Sequence, residues 1–183
     1  MGRRMFVAVV PPADVRDDLA AFLDPRAGLS WTPSDRLHLT LAFLPDVHER
    51  VLEPLDERLR ASLLTEAPFE CRLAGAGAFP NPDRPAVLWV GIDRGRTELQ
   101  HLARRVRGAA NTAGAFPDGQ RFVPHLTLAR PPRNRSAIRW LRVLDTYVSR
   151  TWTVDEVSLV ESQPGGRSVR PRHVEISVLP LGG

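Results

Sequence analysis

Apolar and polar residues along the chain form short blocks that predict a mixture of strands and helices. Runs rich in β-branched and aromatic residues predict seven strands, at 4–10, 37–44, 69–75, 86–92, 122–130, 152–160 and 173–179. Apolar residues at helical spacing predict four helices, at 11–23, 47–64, 96–113 and 134–148. Segments rich in Pro, Gly, Asn and Asp separate several of these elements and are typical of loops.

The order of these elements repeats. A helix, a strand, a helix and two strands occur twice, and the first strand of each copy carries His-Leu-Thr-Leu-Ala, at 38–42 and at 125–129. A repeat of this length predicts two similar lobes, each small for an independent core. No Gly/Ser linker separates the halves, so we expect residues 1–183 to form one bilobal α+β domain. Each lobe should be a mostly antiparallel sheet with helices on its outer side.

The repeated motif separates polar from apolar side chains. Because side chains alternate along a strand, His38 and Thr40 share one face, and His125 and Thr127 share the corresponding face of the second copy. The leucines of both copies lie on the opposite faces, which we expect to be buried. Pseudo-symmetric packing would then bring the two His-x-Thr strands together across a central cleft.

Two imidazoles and two hydroxyls in one cleft suit phosphoryl transfer. An in-line displacement needs a base behind the nucleophile and an acid behind the leaving group. Histidine has an unperturbed pKa of about 6.5, so one imidazole can be neutral while the other is protonated near pH 7. A single His-x-Thr is more often structural, but two copies inside a matched repeat favour catalysis. Neither a cysteine cluster nor a spaced His/carboxylate set is present, so we expect no metal and no cofactor.

Composition narrows the possible chemistry. All 25 basic residues are arginine, which excludes a P-loop lysine, a lysyl Schiff base and a lysyl-adenylate. A single cysteine, Cys71, excludes an internal disulfide.

Residues 121–183 carry 10 arginines and 5 acidic residues, whereas residues 1–120 carry 15 arginines and 16 acidic residues, so the C-terminal third suits a polyanion such as RNA. No apolar run approaches the roughly 18 residues that span a membrane, and we expect a cytoplasmic protein.

The sequence resembles the 2H phosphoesterase superfamily, which is named for two His-x-Thr motifs. It is specifically similar to the bacterial and archaeal RNA 2′,3′-cyclic phosphodiesterases, once called 2′-5′ RNA ligases. The resemblance covers nearly the whole chain, through residues 5–12, 31–44, 77–80, 87–91, 122–130, 157–162 and 178–181. The chain departs from the family at Pro45, where glycine is usual, and at the arginine-rich segment 166–172, where the family often has a tyrosine.

The resemblance implies a role for each matched residue. His38 would be the proton donor to the departing ribose 3′ oxygen, and His125 would be the proton acceptor that activates water. Thr40 and Thr127 would hold the phosphate, and Arg130 matches the family's phosphate-binding arginine. Strict alternation along the strand places Arg130 on the leucine face, so a twist or the strand end must turn it toward the cleft.

The implied reaction is hydrolysis of an RNA terminal 2′,3′-cyclic phosphate to a 2′-phosphomonoester, with tRNA fragments as one candidate substrate. Two alternatives remain open: the reverse reaction, an ATP-independent 2′-5′ RNA ligation, and a module that binds RNA ends without turnover. In the loop 164–172, we expect Arg167, Arg170 and Arg172 to contact the RNA strand. His173, at the start of the last strand, could neighbour the site. We expect a monomer that does not act at a membrane.

Overall fold

The computed structural model describes residues 2–132, 136–165 and 171–182 of the chain. Strands and helices follow one another along these residues in the predicted order, with one additional strand. The strands are β1 (Arg3–Val9), β2 (Leu39–Val47), β3 (Phe69–Phe79), β4 (Val87–Arg94), β5 (Leu126–Ala129), β6 (Trp152–Val154), β7 (Glu156–Gln163) and β8 (Arg172–Pro180). The helices are α1 (Ala13–Leu23), α2 (Glu49–Leu63), α3 (Arg96–Ala113) and α4 (Ile138–Leu144). None of the helices in these ranges is both long and apolar enough to cross a membrane.

The strands form two antiparallel sheets, which confirms the predicted α+β fold with two similar lobes. The first sheet has the order β2-β1-β7-β8 and the second has the order β5-β4-β3-β6. The motif strands β2 and β5 therefore lie at equivalent edges. In each sheet the motif strand and the third strand come from different halves of the chain. In the first sheet these are β2 and β7, and in the second they are β5 and β3, because β7 pairs with β1 and β3 pairs with β4. This exchange of strands joins the two lobes.

One predicted strand is wrong in its extent. Residues 152–160 form two strands, because β6 pairs with β3 in the second sheet whereas β7 pairs with β1 in the first. The chain passes from one sheet to the other at Asp155. The predicted strand 122–130 is also shorter, since β5 covers only Leu126–Ala129. The predicted helix 134–148 is reduced to α4, and residues 133–135 lie outside the described ranges.

The leucine faces of both motif strands are buried, as predicted. Leu39, Leu41, Leu126 and Leu128 are each at most 2% exposed and belong to one continuous apolar core. Burying a leucine side chain contributes roughly 1.5–3 kcal/mol, so a register that exposed these residues would be strongly disfavoured. The apolar faces of the helices complete the core. The polar faces of the motif strands are thereby directed away from it.

The segment that precedes each motif is hydrogen-bonded to the motif strand of the other half. The backbone N–H of Thr32 donates to the carbonyl oxygen of Leu128 at 2.7 Å, and Trp31 forms a β-bridge with Ala129. In the other direction, the N–H of Asp118 donates to the carbonyl of Phe43 at 2.9 Å. These reciprocal contacts hold the two motif strands close to each other.

Candidate active site

A cavity of about 460 Å³ lies where the two motif strands approach each other. Four of the five predicted site residues line it, namely His38, Thr40, Thr127 and Arg130. The other lining residues come from both lobes and include aromatic, hydroxyl and basic side chains: Phe6, Ser30, Thr32, Pro33, Arg36, Phe43, Ala129, Ser162, Pro171 and His173. The structure therefore brings most of the predicted polar face into one concave site.

His125 is not among the lining residues, although Thr127, two residues further along the chain, is one of them. It directly precedes β5, and its ring packs edge-on against Phe79 with 4.9 Å between the ring centroids. The Trp89 ring lies 6.0 Å away. Burial is the main cause that lowers the pKa of His38, and the charge of His125 makes a small further contribution.

Both motif histidines are held by the same hydrogen bond. The Nδ1 atom of His38 lies 2.7 Å from the carbonyl oxygen of Arg36, and the Nδ1 atom of His125 lies 2.7 Å from that of Val123. A carbonyl oxygen can only accept, so Nδ1 of each ring carries the proton and donates it. The Nε2 atom of each neutral ring is then the basic nitrogen that remains for other partners. The two copies of the motif therefore share the same ring hydrogen bond and the same tautomer.

Burial lowers the pKa of both imidazoles. For His38 the pKa falls to about 4, first because of burial, and further because of the charges of His173, Arg36 and His125. The hydrogen bond to the carbonyl oxygen opposes this shift. For His125 burial lowers the pKa and the charge of Arg130 adds to the effect. The sequence suggested one neutral and one protonated ring near pH 7, but in the free protein both rings are neutral at that pH.

A β-bulge in each motif strand changes which side chains reach the cavity. Leu41 is the extra residue in β2, because two adjacent residues of β1 pair with the residues on either side of it. Leu128 is the extra residue in β5 for the same reason. An extra residue shifts the alternation of faces by one position. Phe43 and Arg130, which strict alternation assigns to the buried face, therefore line the cavity.

Two basic side chains outside the repeated motifs also line the cavity. The ring of His173 lies 5.6 Å from the His38 ring between centroids, and Phe6 stacks on His38 at 4.7 Å. Arg36 approaches His173, with 3.4 Å between Nη2 and Nε2. The sequence indicated His173 as a neighbour of the site. It gave no signal for Arg36, because the contact of Arg36 with His173 depends on where the sheet places β8 relative to β2.

Two sequence predictions about this region remain predictions. Arg167 and Arg170, expected to contact RNA, lie outside the described residues, whereas Arg172 is exposed at the start of β8. Within the described ranges no group of three or more His, Cys, Asp or Glu residues is placed to hold a metal ion. The absence of cofactors remains a prediction.

Comparison with known proteins identifies relatives by sequence. A family model described as the 2′-5′ RNA ligase superfamily matches residues 10–166. The RNA 2′,3′-cyclic phosphodiesterase of Aeropyrum pernix is 40% identical over 118 residues, which are 64% of each chain. The protein of the same name from Archaeoglobus fulgidus is 36% identical over 74% of this chain and 76% of its own. The one from Methanothermobacter thermautotrophicus is 33% identical over 87% and 90%.

Solved structures share the architecture. The protein TT0787 of Thermus thermophilus matches with a TM-score of 0.79 and 28% identity, over 98% of both chains. Escherichia coli LigT complexed with 3′-AMP matches with a TM-score of 0.76 and 24% identity, over 99% of both chains. At that identity the second match supports the fold alone, and it agrees with the two sheets described above.

Proposed function

We propose, because the chain belongs to the 2′-5′ RNA ligase superfamily, that the protein hydrolyses the 2′,3′-cyclic phosphate at the end of an RNA. The family resemblance seen in the sequence is confirmed, and relatives named RNA 2′,3′-cyclic phosphodiesterase support the predicted enzyme class. The observation that carries the proposal is the pair His38 and His125. Equivalent hydrogen bonds hold the two rings, and the cavity is lined by His38 and by Thr127, the threonine of the His125 motif.

In the proposed mechanism the two imidazoles act as acid and base on opposite sides of the phosphorus. The Nε2 atom of His125 takes a proton from water, and the resulting hydroxide attacks the phosphorus in line with the P–O3′ bond. The Nε2 atom of His38 gives a proton to the departing 3′ oxygen, so the phosphate stays on the 2′ oxygen. Each Nε2 is available because Nδ1 of the same ring is committed to a backbone carbonyl.

The acid must carry a proton when the bond breaks, yet the free protein keeps the pKa of His38 at about 4. An anionic phosphate beside the ring favours its charged form and raises its pKa. In this proposal the substrate therefore binds together with a proton that His38 takes up. Burial then helps the reaction, because the acid reverts to its favoured neutral state when it gives the proton away.

Thr40, Thr127 and Arg130 are proposed to hold the phosphate. All three line the cavity, and each lobe provides one of the two hydroxyls. Hydroxyl donors stabilise charge that develops on the non-bridging oxygens, and a guanidinium can donate two parallel hydrogen bonds to a phosphate. Because both sheets contribute these groups, residues 1–183 act as one domain in this proposal.

Release of a 2′-phosphate from a dinucleotide that ends in a 2′,3′-cyclic phosphate tests the function. We expect chromatography and phosphorus NMR to detect the 2′-phosphomonoester as the product, without the 3′ isomer. The alternative of ATP-independent 2′-5′ joining uses the same groups with a 5′-hydroxyl in place of water. Adding an RNA with a free 5′-hydroxyl would reveal joining as a longer product. A protein that binds the dinucleotide without either product would be an RNA-end binding module.

A further inference from the structure

One wall of the cavity carries a basic pair that the proposed reaction does not use. Arg36 and His173 contact each other there, and His173 faces Ser162 across the β7–β8 pairing. All three residues line the cavity. Arg36 takes part in none of the ion pairs found among the described residues. Among the described residues, its guanidinium contacts His173 but is not neutralised by an ion pair.

The electrostatics of this pair favour an anion. Burial and the charge of Arg36 both lower the pKa of His173, whereas Asp35 opposes the shift. The charge of His173 in turn lowers the pKa of His38. The half-buried Arg36 guanidinium supplies positive potential to the cavity, and an anion bound beside it would favour the protonated form of the neighbouring imidazoles.

The cavity thus contains two arginines, Arg36 and Arg130, without ion-pair partners among the described residues. In the proposed reaction Arg130 binds the reacting phosphate, whereas Arg36 has no ligand assigned to it. Arg130 directly follows β5 of the second sheet, whereas Arg36 precedes β2 of the first. A terminal RNA nucleotide also carries two phosphorus groups. One is the cyclic phosphate, and the other is the group on the 5′ oxygen, across the ribose from the 3′ oxygen. The centroids of the His38 and His173 rings are 5.6 Å apart, so the catalytic histidine and the Arg36–His173 pair are neighbours within one cavity.

We propose that Arg36, His173 and Ser162 form a second phosphate subsite, which binds the 5′-phosphoryl group of the terminal nucleotide. The guanidinium of Arg36 donates to the phosphate oxygens, the Ser162 hydroxyl donates a further hydrogen bond, and His173 positions Arg36. The inference rests on the proposed function, since it names a second part of the same substrate. The group bound is either the phosphodiester of an RNA chain or a 5′-phosphomonoester, which share this chemistry.

A binding experiment tests the subsite without requiring turnover. Calorimetry would compare adenosine 2′-phosphate with adenosine 2′,5′-bisphosphate, which differ only in the 5′ group. The wild-type protein should bind the bisphosphate roughly tenfold more tightly, the size expected for hydrogen bonds to a charged group. Arg36→Gln should abolish most of this ratio while retaining the backbone carbonyl that holds His38. Arg36→Lys, which keeps the charge but not the paired donors, should retain part of it.

Controls separate the subsite from general charge and from the reacting phosphate. Arg58→Gln removes an exposed arginine of α2 outside this cavity and should leave the ratio unchanged. His173→Gln, which can still contact the guanidinium, should retain more of the ratio than His173→Ala. A wild-type ratio near one would overturn the inference. An Arg36→Gln protein that keeps the wild-type ratio, or that loses affinity equally for both ligands, would do the same.

Kinetics on three substrates distinguish this inference from the function itself. Adenosine 2′,3′-cyclic phosphate, its 5′-phosphorylated form and the dinucleotide ending in the same group share one reacting bond. If none is hydrolysed, the proposed function fails while the binding ratio still decides the subsite. A higher kcat/KM for both extended substrates, lost in Arg36→Gln, supports recognition of an RNA chain. A gain for the 5′-phosphomonoester alone assigns the subsite to a phosphorylated nucleotide end.

Discussion

Phe43 and Arg130 occupy equivalent positions in the two halves of the chain, each two residues beyond the extra residue of a β-bulge. Both side chains line the cavity, but one is an aromatic ring and the other is a guanidinium. The backbone of the site is therefore nearly symmetric while its chemistry is not. At this pair of equivalent positions, only the second lobe places a positive charge in the cavity.

Removing either motif histidine should abolish most hydrolysis. We expect His38→Ala and His125→Ala each to lower kcat by ~10²–10⁴-fold, the usual contribution of a general acid or base. Circular dichroism would check that the variants fold, and His48→Ala, at an exposed histidine before α2, is a matched control. Near-normal turnover in a folded His38 or His125 variant would rule out the two-histidine mechanism.

Arg130→Ala should slow a cyclic mononucleotide and a cyclic-phosphate oligonucleotide by the same factor, because both present the same reacting phosphate. Loss of a paired, charged hydrogen bond predicts a decrease in kcat/KM of roughly 10-fold or more. Steady-state kinetics on the two substrates would measure it. A decrease confined to the oligonucleotide would move Arg130 from the reacting phosphate to the RNA strand.

Arg172→Ala should weaken only the oligonucleotide. Arg172 is exposed at the start of β8 and is not a lining residue of the cavity, so its charge can reach the strand beyond the terminal nucleotide. Loss of one contact to a single-stranded backbone should reduce the slope of log affinity against log salt by roughly 0.7. Binding measured at several salt concentrations would test this. An equal effect on the mononucleotide would place the residue in the catalytic pocket.

Phosphate ligands should bind with uptake of a proton near pH 6–7. The His38 imidazole is neutral in the free protein because burial lowers its pKa to about 4, and an anion in the cavity raises that pKa. Calorimetry of adenosine 2′-phosphate in buffers of different ionisation enthalpy would count the protons. Proton release, or no exchange at all, would contradict the proposed role of His38.

The same shifts predict how stability depends on pH. The pKa of His38 is about 4 in the folded protein and near 6.5 when unfolded, so below pH 6.5 the unfolded chain binds the additional proton. The free energy of unfolding should fall as the pH decreases from 6.5 to 4, by up to about 1.4 kcal/mol per pH unit for this group. Urea unfolding of His38→Ala should show a shallower decrease. An unchanged pH dependence would show that this imidazole does not titrate as described.

Hydrolysis should survive chelation, because the sequence offers no set of metal ligands in the site and the described residues contain no such group. Activity would be measured after dialysis against EDTA. Loss of turnover that zinc, manganese or magnesium restores would contradict the acid–base mechanism proposed here.

The repeated His-Leu-Thr-Leu-Ala strands, and which of their faces is buried, could be predicted from the sequence alone. This was possible because strand periodicity and the transfer of leucine from water are local properties. It also indicated two lobes, because the repeat spans half the chain. The resemblance to a family rested on the same local motifs.

Features that depend on pairing between distant segments could not be predicted from the sequence and became visible only in the fold. The bulges at Leu41 and Leu128 exist only in relation to β1 and β4, and they direct Arg130 to the cavity. The division of 152–160 between two sheets depends on which strands accept its hydrogen bonds. Arg36 gains its partner only because the first sheet brings β8 and its His173 to the same side as His38. These contacts join residues far apart in sequence, so no local pattern encodes them.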